Sequence, residues 1–275
     1  MHRLGVLGWP VAHSRSPAMQ RAAFAELGLR DWSYQLLPVP PELLVETVRA
    51  LGGAGFVGAN VTVPHKEAAL ALADEATLAA RAIGAANTLS FAADGTIAAE
   101  NTDAPGLLDA LAGIGRDPAG SSALVLGAGG SARAVVWGLR EAGADVGVWN
   151  RTPERARRLA AELGVRAVER AEPADILVNC TTVGLDGYAT GLDDRFTSLP
   201  VSADELDEYA CLIDLVYGDR PTALLSAAQA RGLETVDGLE ILVCQGARSF
   251  TTWTGRGAPL AAMRTGARRA PRIEG

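Results

Sequence analysis

Residues 123–126 form a short apolar run that leads directly into Gly127-Ala128-Gly129-Gly130-Ser131-Ala132, and a helical pattern follows over 133–142. The glycines match G-x-G-x-x-G/A, with Ala132 in the third place and in the order strand, turn, helix. No other stretch limits the fold as much. A buried strand that turns tightly into a helix belongs to a sheet whose crossover helices return the chain to further parallel strands. The glycines also let the backbone approach an anion closely, and the helix N-terminus offers unpaired N–H groups and the positive end of its dipole. The expected occupant is the pyrophosphate of a dinucleotide.

The next strand, 145–149, ends at Asn150-Arg151-Thr152-Pro153-Glu154-Arg155. An NAD-binding unit usually carries Asp or Glu here for the ribose hydroxyls. This chain has Arg151, with Arg155 one helical turn on, so the 2'-phosphate of NADP is the better partner; an arginine that merely caps the strand is the alternative. A helix over 154–163, strands over 176–179 and 212–216, a helix over 222–230 and a strand at 235–236 continue the doubly wound pattern. The loops 180–184, with Thr181, and Tyr217-Gly218 would face the nicotinamide end. Residues 186–208 read as a polar surface excursion.

The first hundred residues alternate in the same way. A strand over 4–7 precedes a loop with His13, Ser14 and Ser16 and a helix to about residue 27, with Ser16 at the N-cap and Pro17 at N1. One cap needs one hydroxyl, so Ser14 and Ser16 together can present two to a polar ligand, with the helix N-terminus favouring a carboxylate. A strand over 32–37, a helix over 40–51, a strand over 56–63 and a helix over 65–73 follow, which implies a largely parallel sheet. A helix over 75–83 and a hairpin turning at Asp94-Gly95 lead to Asn101-Thr102-Asp103 and a helix over 105–112.

Lys66 stands at the strand-to-helix corner after Pro64, and it is the only lysine among 25 basic residues. Arginine stays protonated at any working pH, whereas a partly buried lysine can exchange a proton with a substrate. Lys66 is therefore a candidate general acid/base, set against the alternative of a surface lysine in a first helical turn. Asn60, Thr62, Asn87, Asn101, Thr102 and Asp103 all fall at strand ends. Singly they suit turns and caps, Asp103 at a helix N-terminus included; as a set with Lys66 and the serines they suit a polyhydroxylated substrate. A long apolar helix from Gly238 to 250 carries one polar residue, Gln245, which needs a partner. A last helix over 259–265 precedes a tail expected to be disordered.

A net charge of -7 and a pI near 5.1 argue against a nucleic-acid partner. No leader and no long apolar span is visible, so a cytoplasmic protein is expected. Cys180, Cys211 and Cys244 are too widely spaced for a disulfide framework or zinc site and read as small buried hydrophobes; with three scattered histidines, no metal is expected.

The loop with His13-Ser14 and Ser16-Pro17, the stretch from Asn60 to Lys66, Asn87-Thr88, Asn101-Thr102-Asp103, the glycine loop, Asn150-Arg151-Thr152 and Gln245 occur in an order and spacing that resembles the shikimate dehydrogenases, from about residue 4 to 265. The resemblance implies two α/β domains: a substrate domain with a mostly parallel sheet (1–103, rejoined by C-terminal helices from 238–275) and a Rossmann-like NADP domain (104–237), with the active site in the cleft. It implies that Lys66 and Asp103 form the catalytic pair and that Ser14, Ser16, Thr62, Asn87, Tyr217 and Gln245 bind shikimate. It also implies that Gly127, Ala128, Gly129, Gly130, Ser131 and Ala132 hold the pyrophosphate, and that Asn150, Arg151, Thr152 and Arg155 hold the adenosine phosphate. Thr181 and Gly238 complete the cofactor set. The chain departs from the family after Ser16-Pro17, where Gln20-Arg21 replaces the usual His-Asn.

The expected function is NADP-dependent oxidoreduction between 3-dehydroshikimate and shikimate, an aromatic amino-acid precursor step, by a monomer or homodimer. A quinate or aminoshikimate dehydrogenase and a non-enzymatic NADP-responsive binding protein are the alternatives.

Overall fold

The computed structural model describes residues 1–185 and 196–269. The chain divides into two compact units, Met1–Gly106 with Leu242–Gly275, and Leu107–Ile241. Residues 186–195 of the expected excursion and 270–275 of the expected tail lie outside the described residues.

The first unit is built in chain order from β1 (His2–Gly8), α1 (Ser16–Glu26), β2 (Trp32–Pro38), a short 3-10 turn, α2 (Leu44–Gly53), β3 (Phe56–Val61), α3 (Lys66–Ala71), β4 (Glu75–Ala76), α4 (Leu78–Ile83), β5 (Thr88–Phe91) and β6 (Ile97–Glu100). Its sheet has the order β2-β1-β3-β5-β6-β4. β1 lies parallel to β2 and β3, and β4 parallel to β6, while the hairpin turns β5 antiparallel to β3 and β6. Strand β1 is buried over Leu4, Val6 and Leu7 because it is central and covered. Leu7, Val48, Leu51, Phe56, Ala59, Val61 and Leu89 pack into one core cluster.

The expected helix over 75–83 is not continuous. Glu75–Ala76 pairs with β6, and Thr77 in extended conformation accepts the Ala80 N–H with its hydroxyl, so the helix starts only at Leu78. Nor does Ser16 cap α1. Arg15 holds the N-cap position, Ser16 is the first helical residue, and the Ser14 hydroxyl accepts the Ser16 N–H at 3.3 Å. Strand β3 stops at Val61 because Thr62 turns, its carbonyl accepting the His65 N–H.

The second unit begins within α5 (Asp103–Gly113) and continues with β7 (Ser122–Leu126), α6 (Gly130–Glu141), β8 (Asp145–Trp149), α7 (Pro153–Leu163), β9 (Arg166–Ala167), β10 (Ile176–Asn179), β11 (Cys211–Asp214), α8 (Ala223–Ala230) and β12 (Glu234–Val236). Its sheet, β12-β11-β10-β7-β8-β9, is parallel throughout. The order reverses at β7, which has β8 on one side and β10 on the other, and the glycine loop follows β7. That is the switch point where open α/β sheets bind ligands. α9 (Gly238–Thr254) starts in this unit and from Leu242 belongs to the first, followed by α10 (Leu260–Arg268). The unit boundaries thus fall inside α5 and α9, a few residues from the expected 103/104 and 237/238. Among the described residues no helix is long and apolar enough to cross a membrane. Cys211 and Cys244 are buried as expected, but Cys180 is only partly so, because it sits in the loop after β10.

Gly106 brings α5 against α9: a Cβ there would stand 2.7 to 2.8 Å from the backbone N and Cα of Gln245. Gly106→Ala should lower the melting temperature, since overpacking costs about 1–3 kcal/mol and exceeds the roughly 1 kcal/mol of helix propensity that alanine adds. Gly113→Ala, at the open end of the same helix with nothing within 4 Å, should be neutral or stabilising. Calorimetric melting of both variants checks this; a Gly106→Ala protein as stable as wild type would mean that α9 yields.

Candidate active site

The corner after β3 is held from three sides. Thr62 N–H donates to Leu7 O at 2.8 Å, Trp9 N–H to Val63 O at 3.1 Å, and the buried His65 ring places Nε2 2.7 Å from Val39 O. Lys66 opens α3 and is 8% exposed. Its Nζ donates to Asp103 Oδ2 at 2.6 Å. Asp103 opens α5, where Asn101 Oδ1 accepts the Asp103 and Ala104 N–H groups, at 3.1 and 3.3 Å. Asn101 thus serves the helix start, and Asp103 turns its carboxylate to the lysine.

Asn87 connects the pair to the rest of the unit. Its Nδ2 donates to Asp103 Oδ1 at 2.8 Å, to Thr102 Oγ1 at 2.9 Å and to Gln245 Oε1 at 3.2 Å, while its Oδ1 accepts the Thr102 N–H at 2.7 Å. Gln245 in turn donates to Leu242 O in its own helix. Behind this layer Asn60 Nδ2 donates to Ser249 Oγ at 2.9 Å, and the Tyr34 hydroxyl donates to Asn60 Oδ1 at 2.8 Å. Buried polar groups must find partners, and this network supplies them across β3, β5, the start of α5 and α9.

Lys66, Asp103, Asn87 and Gln245 are therefore joined by direct hydrogen bonds. Ser14 and Ser16 are bonded to each other, hydroxyl to hydroxyl at 3.2 Å, and no described hydrogen bond links them to that set. Thr62 follows β3, its methyl packed toward Gly8. Thr181 and Tyr217 stand in the second unit, in the loops after β10 and β11. Ser249 and Tyr34 escape notice in the sequence; Ser249, four residues after Gln245 on the same face of an apolar helix, carried a readable signal.

In the second unit Gly127 has a positive φ of 116°, and a Cβ there would lie 3.1 Å from Cys180 O, so the loop after β7 touches the loop after β10. Gly129 is the N-cap of α6, and a Cβ on it would meet nothing within 4 Å. Space and N–H groups for an anion are both present. Asn150 Nδ2 donates to Thr152 O at 3.0 Å. Arg151 and Arg155 are exposed and make no ion pair among the described residues, whereas Arg157 and Arg158 of the same helix pair with Glu154, Glu169 and Glu162. A Cβ on Gly238 would stand 2.5 Å from Leu215 O, so the chain passes close to the residue after β11 there.

Three family models cover the chain in succession: the shikimate dehydrogenase substrate binding domain over residues 6–89, shikimate / quinate 5-dehydrogenase over 111–183, and the shikimate 5'-dehydrogenase C-terminal domain over 238–265. A shikimate dehydrogenase (NADP(+)) of Thermus thermophilus is 46% identical, with 98% of this chain and 99% of the relative aligned. The chain belongs to the shikimate dehydrogenase family. A crystal structure of shikimate 5-dehydrogenase from Thermus thermophilus in complex with NADP(H) and shikimate matches with a TM-score of 0.88 at 45% identity, covering 98% of this chain and 100% of that one. A 5-ketofructose reductase of Gluconobacter sp. strain CHM43 shares the fold at 30% identity and a TM-score of 0.82, covering 96% of this chain and 97% of that one. The fold of shikimate dehydrogenases thus serves more than one substrate, and the site must supply the distinction.

Asp214, at the end of β11, is fully buried, and burial pushes its carboxyl up to about 6 from 3.8 against the pull of hydrogen bonds from Thr222, Val216 and Asn179. A group whose folded pKa is the higher stabilises the fold fully below its unfolded value and loses that contribution as pH rises through the folded value. Wild-type stability relative to Asp214→Asn should therefore fall between pH 4 and pH 7 by about 2–3 kcal/mol, at roughly 1.4 kcal/mol per unit. Urea unfolding of both proteins at the two pH values measures it. A difference independent of pH would mean that Asp214 titrates normally.

Proposed function

We propose that this chain is an NADP-dependent shikimate dehydrogenase that interconverts 3-dehydroshikimate and shikimate in the cytoplasm. The observation that carries the reading is the Lys66–Asp103 contact of 2.6 Å, formed by the only lysine of a chain in this family. When bound, NADP supplies the hydride acceptor and NADPH the hydride donor. Lys66 handles the proton at the reacting oxygen, giving it to the ketone in reduction and taking it from the alcohol in oxidation. Asp103 orients the ammonium group, and Asn87 occupies the second carboxylate oxygen so that the first stays turned to Nζ.

Ser14, Ser16, Thr62, Asn87, Tyr217 and Gln245 are assigned to the shikimate carboxylate and hydroxyls. The direct bonds among Asn87, Gln245 and the catalytic pair support the assignment for those two residues. The residues of the second unit fit the cofactor. The open space at Gly129, the α6 N-terminus and the left-handed Gly127 suit a pyrophosphate held by Gly127, Ala128, Gly129, Gly130, Ser131 and Ala132. Arg151 and Arg155, which make no ion pair among the described residues, suit a 2'-phosphate together with Asn150 and Thr152. Thr181 and Gly238 are assigned to the same ligand. Initial rates with shikimate and quinate, each with NADP and NAD, test the reading, and faster turnover of quinate would transfer it to the quinate enzymes.

Lys66→Arg keeps the charge but replaces the proton donor by a guanidinium, so turnover should fall about 10²–10⁴-fold. Near-normal stopped-flow turnover would place the proton elsewhere. Arg151→Ala should weaken NADP binding by about 1.5–3 kcal/mol, the range for hydrogen bonds to charged groups, and leave NAD binding nearly unchanged. Calorimetric titration with both cofactors decides, and equal losses would assign Arg151 to the fold or the adenine.

A further inference from the structure

Three donors converge on Asp214. Asn179 Nδ2 donates to Oδ1 at 2.9 Å, Val216 N–H to the same oxygen at 3.1 Å, and the Thr222 hydroxyl to Oδ2 at 2.5 Å. The carboxylate is 0% exposed and has no basic partner among the described residues. A leucine in its place would hold β11 in the sheet without the cost of burying a charge. What a leucine would lack is the power to orient donors.

Each of the three bonds has a consequence further along. The carboxylate only accepts, so the Asn179 amide must turn its NH₂ toward it and its carbonyl away. That carbonyl accepts the Thr181 N–H at 3.1 Å and the Thr181 hydroxyl at 2.7 Å, and the Thr181 hydroxyl accepts the Val183 N–H at 3.1 Å. The Val216 bond ties down the backbone immediately before Tyr217. The Thr222 bond sends that hydroxyl's hydrogen to Asp214 and leaves its lone pairs for the Leu225 N–H, at the start of α8. Thr222 also supports the first loop, since a Cβ on Gly184 would lie 3.1 Å from its methyl.

We infer that Asp214 is a positioning residue for the reaction: its carboxylate sets residues 181–184 after β10 and 215–217 after β11, and with them Thr181 and Tyr217. The inference rests on the assignment of those two residues to cofactor and substrate. It adds a residue that touches neither ligand.

The test uses the full chain, with KM for shikimate and for NADP, kcat and melting temperature measured for Asp214→Ala, Asp214→Asn and Asn179→Ala. Asp214→Ala should raise both KM values about 10-fold or more, with a smaller change in kcat, because small displacements of positioning groups are costly. Asp214→Asn keeps a carbonyl for Asn179 and Val216 and should recover most of the loss. Asn179→Ala cuts only the branch to Thr181 and should raise KM for NADP more than KM for shikimate. If Asp214→Ala does not fold, Asn179→Ala decides. A folded Asp214→Ala or Asn179→Ala protein that melts lower but keeps both wild-type KM values would reduce Asp214 to a stabilising residue and overturn the inference, leaving the proposed function intact. A wild-type protein with no shikimate-dependent NADPH formation would overturn the proposed function and this inference with it.

Discussion

The amide of Asn87 is the constraint on which the first unit depends. Its nitrogen serves Asp103, Thr102 and Gln245, and its carbonyl oxygen holds the Thr102 N–H, so one side chain joins the strand leading into β5, the start of α5 and the distant α9. Removing the Asn87 side chain itself would withdraw a donor from all three acceptors and an acceptor from the Thr102 N–H, and a buried polar group left unmatched costs about 1–3 kcal/mol. The geometry of the Lys66–Asp103 contact follows from that satisfaction. Asp103 faces Lys66 because Asn87 and Asn101 have already taken the other groups at the head of α5.

The second unit solves a similar problem with a different device. Its parallel strands end at one edge, where backbone N–H and C=O groups would otherwise be unpaired. Gly127 turns away from β7 in a conformation open to glycine, and Asp214 gathers donors from both neighbouring loops. The loops are fixed by polar contacts at their bases. Loops held at the base by a rigid sheet are what a site on an α/β fold needs.

How much of this was legible depends on the range of the interactions. The glycine loop, the β8 end at Arg151 and the Asp94-Gly95 hairpin are local: strand, turn and helix signals lie within a dozen residues, and the structure has them in place. The break at Thr77 is also local but hidden, because Glu75 and Ala76 are ordinary helix formers and only pairing with β6 draws them into the sheet. Ser16 departs from its expected role for a related reason, since a serine before proline suits a cap while the chain places the cap one residue earlier.

Asn87 meets Gln245 across 158 positions and Asn60 meets Ser249 across 189. Helical periodicity shows that Gln245 and Ser249 share a face of α9, but periodicity names a face and never its partner. The approach also needs Gly106, whose missing side chain lets α5 reach the α9 backbone. By itself, then, the sequence determined the chemistry available, a single amine, acidic and amide groups at strand ends, and a glycine loop with arginines beyond it. Tertiary structure alone decided that Lys66, Asp103, Asn87 and Gln245 are linked through hydrogen bonds into one site. The physical reason is that unmatched polar groups are costly once buried, so the chain takes a packing in which these side chains find partners in one another.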